Sequence, residues 1–255
     1  MSMMRKRAAM RASLVMGLAL LSLSACSRNG VNKQAALERI LALPLCNELE
    51  RPAEAFDAVD CRLDPADTRD PDDIKLLVNY GPVEEGATSG SITMRLAKLD
   101  GTELQAFTEA DVPMYLYPYL EDFDGDGALD VILPREVGNV NTVMALWKRE
   151  KATQQYTRIG EVNGIAFQRT ADGYLAVQAR SSAASWGVSF YDMTGPALVP
   201  LALIQIAARE TAETGAVTGT QCTLEEISTA ALAQQTREAA QAKFCAEPAA
   251  DVYKQ

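Results

Sequence analysis

The sequence predicts a mainly β protein, an antiparallel propeller-like barrel or sandwich with an N-terminal helix and a C-terminal helical segment. About ten short runs of β-forming residues lie between turn signals in residues 74–206, at spacings of about 8 to 15 residues. Asp100-Gly101 and Asp172-Gly173 each lie between two such runs, and this dipeptide strongly favours a two-residue hairpin turn. Apolar residues at helical spacing occur instead near both ends of the chain.

Residues 1–25 have the features of a secretory signal peptide. An apolar run at residues 14–23 follows a start that contains basic but no acidic residues. The basic residues are Arg5, Lys6, Arg7 and Arg11. The run of 10 residues is too short to span a bilayer comfortably, so the segment indicates export rather than a transmembrane anchor.

The motif Leu-Ser-Ala-Cys that ends at Cys26 resembles the lipobox of bacterial lipoproteins. The resemblance implies that the Cys26 thiol takes a diacylglyceryl group, that the mature chain of 230 residues begins there, and that residues 26–32 form a lipidated tether. Ser27, in place of the aspartate that favours the inner membrane in that family, implies the periplasmic side of the outer membrane. An ordinary signal peptide with an incidental cysteine is the alternative.

Charge and histidine content limit the possible functions. Loss of four of the 24 basic residues and none of the 34 acidic residues gives the mature chain a formal net charge of −14. Nucleic acid and anionic lipid head groups repel such a body, so we expect no nucleic-acid partner and a membrane contact through the lipid anchor. The absence of histidine excludes a Ser-His-Asp triad, a His-activated cysteine and a His-ligated zinc ion built from this chain.

Residues 33–73 are expected to form a helix followed by a disulfide-bonded loop. Apolar residues recur at helical spacing over residues 33–43 and predict an amphipathic helix that Pro44 ends. Residues 57–73 are rich in Asp and Pro and predict a loop held by Cys61.

Four cysteines remain after Cys26: Cys46, Cys61, Cys222 and Cys245. An even number in an exported protein indicates two disulfides, for which three pairings are possible. We favour Cys46–Cys61 and Cys222–Cys245, because each closes a short local loop near one end of the chain. Four buried free thiols are the alternative; a zinc site is disfavoured because there is no close CxxC pair.

A β domain is predicted over residues 74–208. Its predicted strands are residues 74–80, 91–99, 103–107, 114–120, 130–133, 142–148, 155–159, 164–169, 174–180, 184–191 and 198–206. Tyr115, Tyr117 and Tyr119 would share one face of their strand, because side chains of a strand alternate in direction. Such a face suits either partner binding, since tyrosine is enriched in binding hot spots, or packing beside a second layer.

Residues 209–255 are expected to form a disulfide-tied helical tail. A loop is predicted at 210–220 and mainly helix at 223–244. A straight helix would hold Cys222 and Cys245 roughly 34 Å apart at 1.5 Å per residue. A disulfide requires α-carbons within about 7 Å, so either the segment folds back on itself or the favoured pairing is wrong.

The acidic loop at residues 122–130 has the clearest metal-binding pattern. A glycine at its position 6 permits a sharp turn, and the carbonyl of Ala128 lies at position 7. Calcium takes 6 to 8 oxygen ligands, and four close carboxylates repel one another without a cation. The loop therefore predicts a calcium site, with a solvated acidic turn as the alternative. The carboxylates lie at positions 1, 3, 5 and 9: Asp122, Asp124, Asp126 and Asp130.

This loop resembles the calcium loop of FG-GAP and related β-propeller repeats more than an EF-hand. An EF-hand would have glutamate at position 12, where Leu133 stands, and a helix where a strand is predicted. The resemblance extends over residues 114–162, about a fifth of the chain. It implies that the ligands are the four aspartates and the carbonyl of Ala128.

The lipobox, two terminal disulfides and one calcium loop in a β body are together similar to a narrower group of proteins. These are the periplasmic immunity lipoproteins that protect xanthomonad-type bacteria from type IV-secreted peptidoglycan hydrolases. The resemblance implies a non-enzymatic inhibitor whose partner is a secreted or periplasmic hydrolase. One alternative is a structural or assembly lipoprotein that binds another envelope protein or a glycan. Another is a hydrolase that uses paired carboxylates, although no spacing singles out such a pair.

Overall fold

The computed structural model describes residues 32–50, 59–65, 74–82, 87–210, 217–233 and 235–253. The predicted signal peptide and Cys26 lie outside the described residues, as does most of the loop predicted at 57–73. The mainly β, antiparallel fold with few helices is confirmed. None of the helices in the described ranges is long and apolar enough to cross a membrane.

The predicted N-terminal helix is present as α1, residues 32–42. Ile40 is 5% exposed, and Lys33 pairs with Asp100 at 3.0 Å, which joins the helix to a hairpin turn of the β body. The Arg62 guanidinium donates to the carbonyl groups of Leu41 and Leu43, and these are acceptors that the end of a helix leaves unpaired.

The first sheet, sheet A, contains β1 (Cys61–Leu63), β2 (Ile74–Tyr80), β3 (Ser89–Lys98) and β4 (Glu103–Pro113). Each strand pairs antiparallel with the next one in the chain. The predicted hairpin turn joins β3 to β4, and Gly101 has φ +86°, a conformation that glycine adopts readily.

Two more sheets of the same kind follow. Sheet B contains β5 (Tyr119–Glu121), β6 (Asp130–Val137), β7 (Thr142–Arg149) and β8 (Tyr156–Gly164). Sheet C contains β9 (Ala166–Arg169), β10 (Leu175–Ser182), β11 (Ser185–Asp192), β12 (Val199–Glu210) and β13 (Val217–Ile227). The described strands form no closed barrel, and the propeller-like arrangement stays a prediction.

The central strands of sheet B, β6 and β7, are largely covered on both faces. On β6, Val131 and Leu133 belong to the core shared with sheet A, whereas Ile132 belongs to the core shared with sheet C. On β7, Trp147 and Leu146 divide between the two cores in the same way. This explains the uninterrupted apolar run at residues 131–134 of β6, since a strand covered on both faces needs no polar side.

A charged network joins sheet A to sheet B. The Glu109 side chain on β4, 8% exposed, accepts hydrogen bonds from Trp147 Nε1 at 3.0 Å and from Arg158 Nε at 2.6 Å. Arg135 Nη1 lies 3.3 Å from its other oxygen. Both arginines also pair with Glu161, which is 41% exposed.

The C-terminal segment departs from the prediction. Val217–Ile227, expected as loop and helix, is strand β13 and pairs with β12 along its length. Two short helices follow, α2 (Thr229–Leu232) and α3 (Arg237–Cys245), and Phe244 of α3 packs against Phe190 of sheet C. The helical prediction is therefore wrong over residues 223–227, because strand pairing outweighs the local preference for helix.

Both favoured disulfides are confirmed. The α-carbons of Cys46 and Cys61 are 5.1 Å apart, and those of Cys222 and Cys245 are 5.9 Å apart. The second pairing forms because Cys222 lies on a strand while α3 packs back over the sheet and ends at Cys245. The division of the chain into domains stays a prediction.

Candidate metal centre

The acidic loop, residues 122–130, connects β5 to β6, and Asp130 is the first residue of β6. Phe123 is 3% exposed and lies in the core between sheets B and C, so the loop is anchored at its second residue. Gly125 and Gly127 have φ of +69° and +87°. Their left-handed conformations turn the chain sharply, which brings its two acidic ends together.

Backbone amides of the loop face its carboxylates. Asp126 N donates to Oδ1 of Asp122 and to Oδ1 of Asp124, both at 3.1 Å. Gly127 N donates to Asp122 Oδ2 at 3.0 Å. These bonds hold two carboxylates in place without any added ligand, so the loop is preorganised.

Three of the four predicted aspartates converge. Each of Asp122, Asp124 and Asp130 places a carboxylate oxygen within 4.8 Å of the others. Asp124 is 7% exposed and Asp130 is fully buried. Three carboxylates this close could surround one cation, and the calcium site stays a prediction.

The Asp130 carboxylate is only half satisfied. Its Oδ1 accepts a hydrogen bond from Arg149 N at 2.7 Å, whereas its buried Oδ2 has no hydrogen-bond partner among the residues that the structure describes. An unsatisfied buried polar atom costs about 1–3 kcal/mol, and more when the group is charged. A hard cation bound by oxygen atoms would supply the missing interaction, so these residues fit calcium.

The other two predicted ligands, Asp126 and the Ala128 carbonyl, lie outside the group of three converging carboxylates. Asp126 is not part of the three-residue group, and its Oδ1 accepts a hydrogen bond from Ala128 N at 2.7 Å. Ala128 is 7% exposed. The ligand roles of Asp126 and of the Ala128 carbonyl stay predictions.

Two lysines near the loop were not among the predicted site residues. Lys148 Nζ on β7 lies 2.7 Å from Asp124 Oδ2, and Lys151 Nζ donates to the backbone carbonyl of Asp126 at 2.8 Å. Strand β6 pairs antiparallel with β7, and Val131 lies opposite Trp147, so Asp130 and Lys148 are the next residues along the two strands. Knowledge of this register would have indicated that Lys148 lies near the acidic loop.

Charge and burial shift the proton affinities at this site. Burial raises the pKa of Asp130 to about 7, the hydrogen bond from Arg149 N opposes this rise, and the charges of the other loop aspartates add to it. Burial lowers the pKa of Lys148, but its hydrogen bond to Asp124 and the nearby carboxylate charges outweigh burial and raise that pKa overall. Without metal, Asp130 is therefore protonated mainly below about pH 7, and Lys148 keeps its charge.

In chelator, the stability contribution of Asp130 is expected to fall as the pH rises from about 4 to about 7. Its folded-state pKa, about 7, lies above the ordinary value of 3.8, so the folded protein binds more protons in this range than the unfolded chain. The contribution is complete below the ordinary pKa and is lost as the pH rises through 7. Urea unfolding in EDTA, at pH about 5 and about 7.5, measures this contribution as the difference in pH dependence between the unmutated protein and Asp130→Asn. The same pH dependence in both proteins would contradict the shifted pKa.

The three tyrosines do not share one strand, so this prediction is wrong. The chain turns after β4, where Leu116 N donates to Pro113 O at 3.3 Å, and β5 begins only at Tyr119. Tyr117 packs against the core of sheets A and B and is in edge contact with Tyr80, whereas Tyr119 packs against the core of sheets B and C. Tyr115 lies in the turn. Their role in partner binding stays a prediction.

Comparison with protein families and with curated proteins found no match. Among solved structures, this chain is similar to one described as a Xanthomonas type IV secretion system related protein, at 11% sequence identity. The matched region covers 69% of this chain and 96% of that chain. The TM-score is 0.37. At that score the two chains are not shown to share a fold, and the likeness carries no functional argument.

Proposed function

We propose that this protein is a non-enzymatic, calcium-binding lipoprotein on the periplasmic side of the outer membrane, and that it inhibits a peptidoglycan-degrading hydrolase. Two observations carry the calcium part: the carboxylates of Asp122, Asp124 and Asp130 converge, and a buried oxygen of Asp130 has no hydrogen-bond partner among the described residues. The export and lipidation part rests on the lipobox resemblance at Cys26.

Calcium suits the loop better than other common metals. All candidate donors are oxygen atoms, whereas zinc and copper prefer sulfur and nitrogen donors, so the donor set disfavours both metals. Magnesium demands near-ideal octahedral geometry and retains several waters, whereas calcium accepts a loop of irregular carboxylate and carbonyl donors. A bound ion would fix the connection between β5 and β6, so its expected role is structural.

The inhibitor role is supported by the charge and the rigidity of the body. A mature charge of −14 complements a basic hydrolase and would speed encounter at low ionic strength. Each disulfide ties a segment near one end of the chain to a strand, and the Glu109 network joins sheet A to sheet B, so we expect little conformational entropy to be lost on binding. The lipid anchor would hold the inhibitor beside the peptidoglycan, where such a hydrolase acts.

The inhibitor role is tested by affinity purification followed by an activity measurement. The purified protein is used as bait for secreted and periplasmic proteins, and each hydrolase that co-purifies is assayed on isolated peptidoglycan. We expect hydrolysis to fall to near zero at a one-to-one ratio of inhibitor to hydrolase. Absence of any hydrolase, or a hydrolase that retains full activity when bound, would contradict the proposal. Recovery of outer-membrane assembly proteins would favour the structural alternative.

A further inference from the structure

Lys148 makes a direct contact with one of the candidate calcium ligands. Its Nζ lies 2.7 Å from Asp124 Oδ2, and the side chains of Lys148 and Asp124 are 26% and 5% exposed. Because both groups are largely shielded from water, the attraction between them is screened much less than that of a surface pair. Lys148 therefore neutralises part of the acidic loop when no metal is bound.

The position of Lys148 is set by the strand that carries it. Met144 and Leu146 precede it on the same face of β7, in the core between sheets B and C, and Phe123 of the acidic loop lies in the same core. The ammonium group thus leaves the sheet at the end of an apolar face, where the anchored loop covers it. This contact is built by the fold and does not depend on a chance meeting of two exposed side chains.

We propose that Lys148 is a built-in competitor of calcium: it holds Asp124 in the metal-free protein and loses this contact when calcium binds. The inference rests on the proposed calcium site. An ammonium and a divalent cation that share the Asp124 carboxylate repel each other, so the contact with Lys148 opposes metal binding. The same contact stabilises the metal-free loop, in which the carboxylates would otherwise repel. The site would then release calcium at concentrations at which the aspartates alone would retain it.

Lys148→Met tests this competition, since it keeps an unbranched side chain of similar length and removes the charge. Calorimetric titration of chelator-treated protein with calcium is expected to give a Kd about tenfold lower for the variant than for the unmutated protein. The melting temperature of the metal-free variant is expected to be lower, and its rise on addition of calcium larger. Lys148→Gln removes the same charge and replaces the methionine variant if that variant does not fold.

Lys151→Met is the matched control, because it removes an equal charge from a lysine that contacts a backbone carbonyl of the same loop. We expect its Kd to stay within about twofold of the unmutated value. Equal tightening by both variants would assign the effect to general charge and overturn the proposal. Weaker calcium binding by Lys148→Met would also overturn it, because the lysine would then position Asp124 for the metal.

The failure of this inference is distinguishable from failure of the calcium site. An unchanged Kd in Lys148→Met, beside clear binding by the unmutated protein, refutes the competition alone. No binding by either protein refutes the calcium site itself. Binding by the variant alone supports the competition in its strongest form.

Discussion

Replacement of Glu109 by alanine is expected to lower the free energy of unfolding by about 3 kcal/mol, near the lower end of the range for removal of one partner of a buried ion pair. The Glu109 carboxylate accepts hydrogen bonds from Trp147 Nε1 and Arg158 Nε and lies near Arg135. In the variant the buried indole N–H loses its acceptor and two guanidinium groups lose the buried carboxylate. Urea unfolding of the unmutated and variant proteins in calcium measures the difference.

Glu161→Ala is the matched control for this prediction. Glu161 pairs with the same two arginines, but it is 41% exposed, and the indole N–H donates to Glu109. Solvent screens an exposed pair, so we expect a loss of about 0–1 kcal/mol. Equal losses in the two variants would mean that the connection between sheets A and B does not depend on the buried carboxylate.

The strands were predictable where the pattern is local. The bounds of β2, Ile74–Tyr80, agree with the prediction, and the hairpin turn at Asp100-Gly101 is where that dipeptide indicates. Strand β13 was not predictable in this way, because Val217–Ile227 is stabilised by pairing with β12, which the sequence of the segment does not encode alone. The tyrosines at 115–119 were misplaced because their alternation predicts a strand, whereas the chain turns after Pro113 and β5 begins only at Tyr119, after Pro118, which has no N–H group to pair.

The candidate site also combines residues that a local sequence pattern predicts with residues that it does not predict. The spacing of the aspartates predicts the loop because its donors lie within nine residues of one another. The partners that tune it come from elsewhere in the sheet: Lys148 on β7 contacts Asp124, and the amide of Arg149 contacts Asp130. Such contacts depend on the register between β6 and β7, which spacing along the chain does not determine. A loop motif can therefore indicate which metal binds, but not how tightly.

Calcium is expected to raise the melting temperature of the chelator-treated protein by about 5–10 °C. Binding to the folded state alone stabilises it by about 2.7 kcal/mol when calcium is present at 100 times its Kd. The melting temperature of a domain of this size rises by about 2–4 °C for each kcal/mol of added stability. The gain arises because the ion neutralises Asp122, Asp124 and Asp130 and binds the buried oxygen that otherwise has no partner among the described residues. Differential scanning calorimetry in EDTA and in excess calcium measures the shift, and magnesium at the same concentration should produce a smaller one.

Asp130→Asn should abolish most of this shift, because it removes the charge of the most buried candidate ligand while it preserves the acceptor for Arg149 N. Asp111→Asn makes the same chemical change at an exposed residue of β4 with φ +54°, a conformation that asparagine tolerates, so the shift should remain. In EDTA at pH about 7.5, Asp130→Asn should be at least as stable as the unmutated protein, because burial of the ionised carboxylate is unfavourable without a metal. A calcium shift that survives in Asp130→Asn would place the ion elsewhere, and melting curves of the unmutated protein that coincide with and without calcium would refute the site altogether.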